Sequence, residues 1–382
     1  VRLLEKKDRS ALKVGITGKG RCNVTNDSDV RGLIANIPTN PRFLYGAFSR
    51  FDPSDTRAFF EEHGVPLKVE RGGRVFPVSD KASDIVDALV KAAKRGGAEI
   101  IQGTAKKILT ENGAVSGVLL ENGEALPADS VILATGGMSY PLTGSAGDGY
   151  KIARALGHTV TEIKPSLVAL NAHEGFCERL AGLSLKNVAL SVLEEGRKKP
   201  VFSELGEILF THFGISGPLV LSASAHMRYI GKKQYTAAID LKPGLTPEQL
   251  DKRILRDFDE EKNRDFINSL NKLLPRSLIP IVVRLSCIEP DRKVNSISRE
   301  QRAALCRVLK EFTLHITGTR PIDEAIITRG GISVKEIDPK TMGSKLISGL
   351  YFAGEIIDVD AYTGGFNLQI AFSTGFAAGS NV

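Results

Sequence analysis

Residues 350–379 read LYFAGEIIDVDAYTGGFNLQIAFSTGFAAG, an apolar strand-like start, two glycine steps and then a small-residue helix. A tight glycine turn aimed at a helix start sets backbone N–H groups against something anionic or polar. Gly364 and Gly365 carry no side chain to block that approach, and the donors on offer are the amides of Gly365, Phe366, Asn367 and Leu368. A plain glycine-rich helix cap is the bland reading of the same residues. Three other stretches offer related chemistry. Glu5 ends the apolar opening VRLLE, like the acid at the end of the second strand of a dinucleotide-binding βαβ unit, where it accepts hydrogen bonds from the adenosine ribose. In GITGKGRCNVTN (15–26), Gly18 and Gly20 permit close backbone approach. Arg21, Asn23 and Thr25 bring three hydrogen-bonding side chains to alternate positions there, in what reads as a polar loop. Finally, the strand 131–134 runs into Thr135-Gly136-Gly137, a small-residue turn at the point where α/β sheets hold ligands.

Other chemistries find little support. Cys22, Cys177, Cys287 and Cys306 lie far apart with no CxxC pair, and the six histidines are dispersed. That argues against a zinc site or a disulfide scaffold and fits a reducing cytoplasm. Cys22 reads as a packed, unreactive thiol, with no partner cysteine near it in sequence. No apolar run approaches the roughly 20 residues that span a bilayer. The net charge of +7 would suit a nucleic-acid partner, but the 51 basic residues are scattered among 44 acids, so nucleic acid is not the expected partner.

The elements that must position these residues follow from pattern. Residues 82–93 put Ala82, Ile85, Val86, Leu89, Val90 and Ala93 on one helical stripe, capped by Ser79 or Asp80 and ended by Gly96-Gly97. Asn112-Gly113 and Asn122-Gly123 are hairpin signals between short strands. GDGYKIARALGH reads as a helix, and SGP at 216–218 as a helix start with Ser216 as its cap. The character changes near Lys164-Pro165. Residues 165–245 look β-rich, with a hairpin near Glu195-Gly196, and 246–319 look mainly helical, broken by Pro275, Pro280 and Pro290. The expectation is an α/β, Rossmann-type nucleotide-binding domain formed by 1–164 and 320–382, interrupted by an inserted substrate-side domain at 165–319. A βαβ unit starts about 25–30 residues before the end of its second strand, with a strand, a G-x-G-x-x-G turn and a helix. Since VRLLEKKD reads as that second strand, those parts are expected upstream of Val1.

GKGRCNVTN, GRVFPVSDKA, ILATGG, LFTHFGISGP, TRGGISVKEID and GEIIDVDAYTGGFNLQIAFSTG occur in that order. Together they resemble the HI0933-like bacterial flavoproteins, over essentially the whole chain. Two places differ from the family's pattern: Ala361 stands where it usually has glycine, and RSALKVG replaces a more basic stretch. The resemblance implies a glutathione-reductase-like fold and bound FAD. It further implies that Glu5, with Lys6 beside it, binds ribose, that Ala134, Thr135 and Gly136 pass the adenosine half, and that Ala105 sits beside the adenine. Arg21, Asn23 and Thr25 would touch the ribityl-pyrophosphate or the ring. Gly354 and Glu355 would lead to Asp358 on a ribityl hydroxyl, and the turn Gly364–Leu368 would face the ring's N1/O2 edge. Catalytic residues stay open, with Arg74, His212 and Arg329 as candidates beside Phe76; His212 is either an acid–base group or a structural anchor. The implied activity is oxidation of an amine, or reduction of an activated double bond by transiently docked NAD(P)H, on a small or hydrophobic substrate. A flavin-binding protein with an RNA partner is the alternative.

Overall fold

In the computed structural model, which describes residues 1–382, β1 (Arg2–Glu5) opens the chain and a helix follows at Leu12–Gly20. That helix corrects the reading of 15–26 as a loop throughout. Gly15 still donates to the Ala11 carbonyl (3.2 Å), and the helical path is lost only at Thr17, Gly18 and Lys19, the last two at φ near +58°. β2 (Thr25–Asn26), β3 (Leu67–Glu70) and β4 (Arg74–Pro77) form a small antiparallel sheet with β4 in the middle.

The helix Ala82–Arg95 buries Ala82, Ile85 and Ala88 and ends at Gly96. Its expected cap is corrected: Lys81 holds the N-cap position without a side-chain bond. Asp80 instead lies at φ +57°, its carboxylate taken by Arg21 and Lys68, and Ser79 donates to Asp84 at 2.6 Å. β5 (Glu99–Gln102) lies parallel to β1. β6 (Ala105–Glu111), β7 (Ala114–Leu120) and β8 (Ala125–Pro127) form a meander. Asn112 and Gly113 both take positive φ in the first of its turns, the pair that a two-residue hairpin demands. β9 (Val131–Leu133), the helix Asp148–Ala155 and β10 (Lys164–Ser166) complete this stretch.

β11 (Leu170–Ala172), β12 (Ser184–Glu194), β13 (Phe202–Thr211), β14 (Gly214–Ser216), β15 (Tyr235–Asp240) and β16 (Phe312–Thr319) close into a barrel in the order β11-β14-β13-β12-β15-β16. Alternate residues of the long strands turn inward, so Leu190, Val192, Ile208, Phe210, Ile239 and Leu314 are fully buried. β16 is a barrel strand at the end of the stretch read as mainly helical. The helices Pro247–Glu260, Ile279–Ser286 and Arg299–Lys310 supply the same core with Leu250, Ile254, Val282, Leu305 and Leu309. The helix start at SGP is also corrected: Ser216 ends β14, and Gly217 at φ +96° is the N-cap before Pro218.

β17 (Ile327–Arg329) pairs antiparallel with β10, and β18 (Leu350–Phe352) pairs parallel with β9. A short 3-10 turn at Gly354–Ile356 leads to the closing helix Phe366–Gly379. The chain thus folds as two units: Val1–Ser166 with Pro321–Val382, and Leu167–Arg320.

Candidate cofactor site

The closing turn is built so that only glycine fits. Gly364 lies at φ +133° and Gly365 at φ +99°, and a Cβ on Gly365 would fall inside the Thr25 carbonyl oxygen. No side chain caps the helix that starts there. Its first intrahelical bond runs from the Gln369 amide to the Gly365 carbonyl (3.1 Å), so the amides of Phe366, Asn367 and Leu368 are left for an outside acceptor. The helix dipole adds partial positive charge at the same point. These residues fit a flavin: a row of donors without a capping side chain suits a group that gains negative charge on reduction.

The turn is braced from both sides. Asn367 accepts from the Ala361 amide (3.0 Å) and donates to the Ala361 carbonyl (2.8 Å), so its side chain stitches the preceding loop. Alanine at 361 is fully buried in that loop. Asn26 donates to the Gly364 carbonyl at 3.0 Å. Gln369, fully buried, accepts from Thr25 (2.5 Å) and Thr56 (2.8 Å) and donates to the Phe51 carbonyl (3.2 Å) and Ser373 (3.0 Å). Thr25 is therefore committed to holding the helix. Asn23 accepts from the Val75 amide (3.1 Å). Arg21 is bound to Glu70 and Asp80, with its guanidinium carbon 4.1 Å from the Phe76 ring centroid.

Upstream, Gly354 takes φ +74° and donates to Thr374 (2.9 Å). Glu355 accepts from Lys13 (2.5 Å) and the Thr328 amide (2.7 Å), and Ser139 lies between Lys13 (2.6 Å) and Glu355 (3.2 Å). A Cβ on Gly137 would meet the Glu355 carboxylate at 2.9 Å, so this cluster locks the turn after β9 against the turn after β18. Ala134 and Thr135 are exposed at the end of β9, and Gly136 takes φ +71°. Asp358 is half-buried; Asn40 donates to its carbonyl (2.7 Å) and reaches its carboxylate (3.3 Å). Burial pushes the Asp358 carboxyl above its ordinary range; a Thr161 hydrogen bond opposes this, and nearby Asp360 adds to it. At the other edge, Glu5 accepts from the Lys7 amide (2.9 Å), Lys6 pairs with Asp148 (2.6 Å), and Ala105 begins β6.

Of the catalytic candidates, Arg74 is exposed and donates to the Arg71 carbonyl (3.1 Å), and Arg329 lies in β17 opposite Lys164. His212 is an exposed turn residue of the barrel unit, between β13 and β14. Cys22 is fully buried at φ +57°, and burial pushes its thiol up to about 11. Sequence reasoning missed Lys13, Asn40, Ser139, Thr328 and Gln369. Each acts across a large sequence separation, and only the charge of Lys13 facing the acid of the closing motif offered any signal.

Residues 1–381 match the family described as HI0933-like protein Rossmann domain. The chain is 32% identical over 99% of its length to a 3-dehydro-bile acid delta(4,6)-reductase of Clostridium scindens, covering 91% of that protein. It is 30% identical over its full length to a ribosomal RNA dihydrouridine synthase of Escherichia coli, covering 92% of it. A quinol-fumarate reductase structure aligns with all of this chain at a TM-score of 0.46 and 15% identity, and the chain spans 66% of it. No helix is long and apolar enough to cross a membrane. With the Rossmann-type fold, the uncapped donor row and a family match over nearly every residue, the chain belongs to the HI0933-like family and is an FAD-dependent oxidoreductase.

Proposed function

We propose that this oxidoreductase saturates a carbon–carbon double bond conjugated to a carbonyl, drawing electrons from NAD(P)H. The observation that carries the reading is the uncapped start of the helix Phe366–Gly379, whose amides stabilise charge gained on two-electron reduction. Bound FAD would supply hydride transfer in both directions, from the nicotinamide and to the substrate. Its cradle on this chain is Glu5 for the ribose, Ala134–Gly136 for the adenosine half, Asp358 for a ribityl hydroxyl, and Phe366–Leu368 for the ring edge. Lys13, Ser139 and Glu355 hold the two turns in register. One C–H bond forms by hydride delivery and the second by proton uptake at the adjacent carbon. The names of the two relatives support the choice of bond. A delta(4,6)-reductase and a dihydrouridine synthase act on different molecules, and both saturate a C=C bond.

The test is anaerobic: bleach the flavin absorbance of the purified protein with NADH or NADPH, then add candidate oxidants. Rapid recovery of the yellow form with a conjugated enone or a uridine-containing RNA, and accumulation of the saturated product, is expected. Bleaching by a primary amine but not by either nicotinamide would overturn the reading in favour of amine oxidation.

A further inference from the structure

The chain's formal charge is unevenly spread. Leu167–Arg320 holds 24 Lys and Arg against 18 Asp and Glu, which is +6 of the total +7. One end of the barrel concentrates that excess. The β12–β13 hairpin tip carries Arg197, Lys198 and Lys199, and the segment leading into β15 carries Arg228, Lys232 and Lys233. All six are exposed, and Glu195 is the one exposed acid on the two segments.

The segments are fastened to each other. The Glu195 amide donates to the Gln234 carbonyl (2.9 Å), and the Gln234 amide reaches the Glu195 carboxylate (3.3 Å). Beneath them the Glu194 carboxylate, with its side chain 2% exposed, accepts from Lys233 (2.7 Å) and Tyr235 (2.9 Å) and lies 3.0 Å from Arg197. The hydrogen bond from Lys233 holds Glu194 below the usual carboxylate range against the cost of its burial. One buried acid thus pins hairpin to loop, while Lys198, Lys199 and Lys232 enter no ion pair. Among these cations stands Tyr229, 46% exposed, with the Lys233 ammonium 5.2 Å from its ring centroid.

An exposed aromatic ring on a surface rich in cations, three of them without an ion pair, is the arrangement that takes an unstacked base on its face and phosphates on either side. We propose that this end of the barrel docks an unpaired stretch of RNA, with phosphates on Lys198, Lys199 and Lys232 and a base on Tyr229. The sequence hid the surface, because the two segments lie some 30 residues apart and meet only through the β12–β15 ladder, where Glu194 faces Tyr235. This goes beyond the reductase reading and stands whatever bond the flavin reduces, since its test reads binding without turnover.

The experiment titrates fluorescein-labelled single-stranded RNA with the FAD-loaded full chain and follows anisotropy. Three phosphate contacts give a slope of log K on log salt of about −2, so affinity falls about twentyfold between about 50 and 200 mM salt. K198E/K199E/K232E should weaken binding at least about tenfold and flatten the slope by about 2, with flavin content and melting temperature unchanged. Tyr229→Ala should weaken it about fivefold or more and Tyr229→Phe should not. The control K252E/K262E/R276E makes the same charge change at exposed positions elsewhere in the unit and should leave affinity near the wild-type value. Equal weakening by both triple variants, or by neither, overturns the proposal. So does equal affinity for single-stranded DNA of the same sequence, or full competition by anionic lipid vesicles.

Discussion

Replacing Asp358 by asparagine separates two effects of opposite sign. In the folded chain burial raises the carboxyl's pKa, so the folded state holds the proton more tightly than the unfolded chain does. The linkage sign follows. Stability of the FAD-free protein falls as pH rises from the ordinary carboxylate value of about 3.9 and levels off above the raised value. Asp358→Asn has no proton to lose, so that decline disappears, and at neutral pH the FAD-free variant should melt no lower than the wild type. Asparagine can still accept from Asn40. Toward FAD the substitution exchanges a charge-assisted hydrogen bond for a neutral one, a loss of about 1–1.5 kcal/mol, or about five- to tenfold in Kd. The assay pairs thermal melts of the FAD-free proteins across pH with a fluorescence titration of FAD at neutral pH. An unchanged Kd removes Asp358 from the cofactor site. A variant that melts below wild type at neutral pH refutes the burial argument, because the carboxylate's own bonds would then outweigh its desolvation.

Four further outcomes follow from packing. Gly365→Ala combines left-handed backbone strain with a collision against the Thr25 carbonyl and should cost about 2–5 kcal/mol, while Gly375→Ala, in open space within the same helix, should raise the melting temperature slightly. Gln369→Leu strands the buried Thr25 hydroxyl and takes one of two partners from Thr56 and from the Phe51 carbonyl, which keep Asp52 and Ser373, and should cost about 1–3 kcal/mol, seen as a lowered denaturation midpoint. A thiol reagent at mild alkaline pH should label exposed Cys287 quickly and Cys22 only on unfolding, because Cys22 is sealed and its thiolate disfavoured; peptide mass mapping that finds both labelled in the native protein would contradict this.

What the sequence revealed was mostly local. Asn112-Gly113 marked its hairpin because the turn's positive φ values select those residues, and the stripe from Ala82 marked its helix because one face must be apolar. The closing glycines were legible for the same reason: a steric demand restricts a position to one residue type. Long-range bonding left no comparable mark. Lys13 meets Glu355 across 342 positions, and Gln369 could satisfy its amide in many other environments. The cap at Asp80 failed as a reading because Arg21 and Lys68 compete for that carboxylate more strongly than a helix end does. The barrel's closure was equally hidden, since β15 and β16 pair across the 71-residue helical excursion 241–311, whose length no turn signal records.

β11 and β16 pair directly, Leu170 against Thr319, and just outside the barrel unit β10 and β17 pair, Ser166 against Ile327. The chain therefore leaves the first unit and returns to it through neighbouring strands. A long excursion whose ends are already adjacent adds little closure entropy to the unit that hosts it, and that cost grows only slowly with length. Leu167–Arg320 is in this respect a cassette. One contiguous block of gene encodes it, and its length enters the folding of its host only through this slowly growing term.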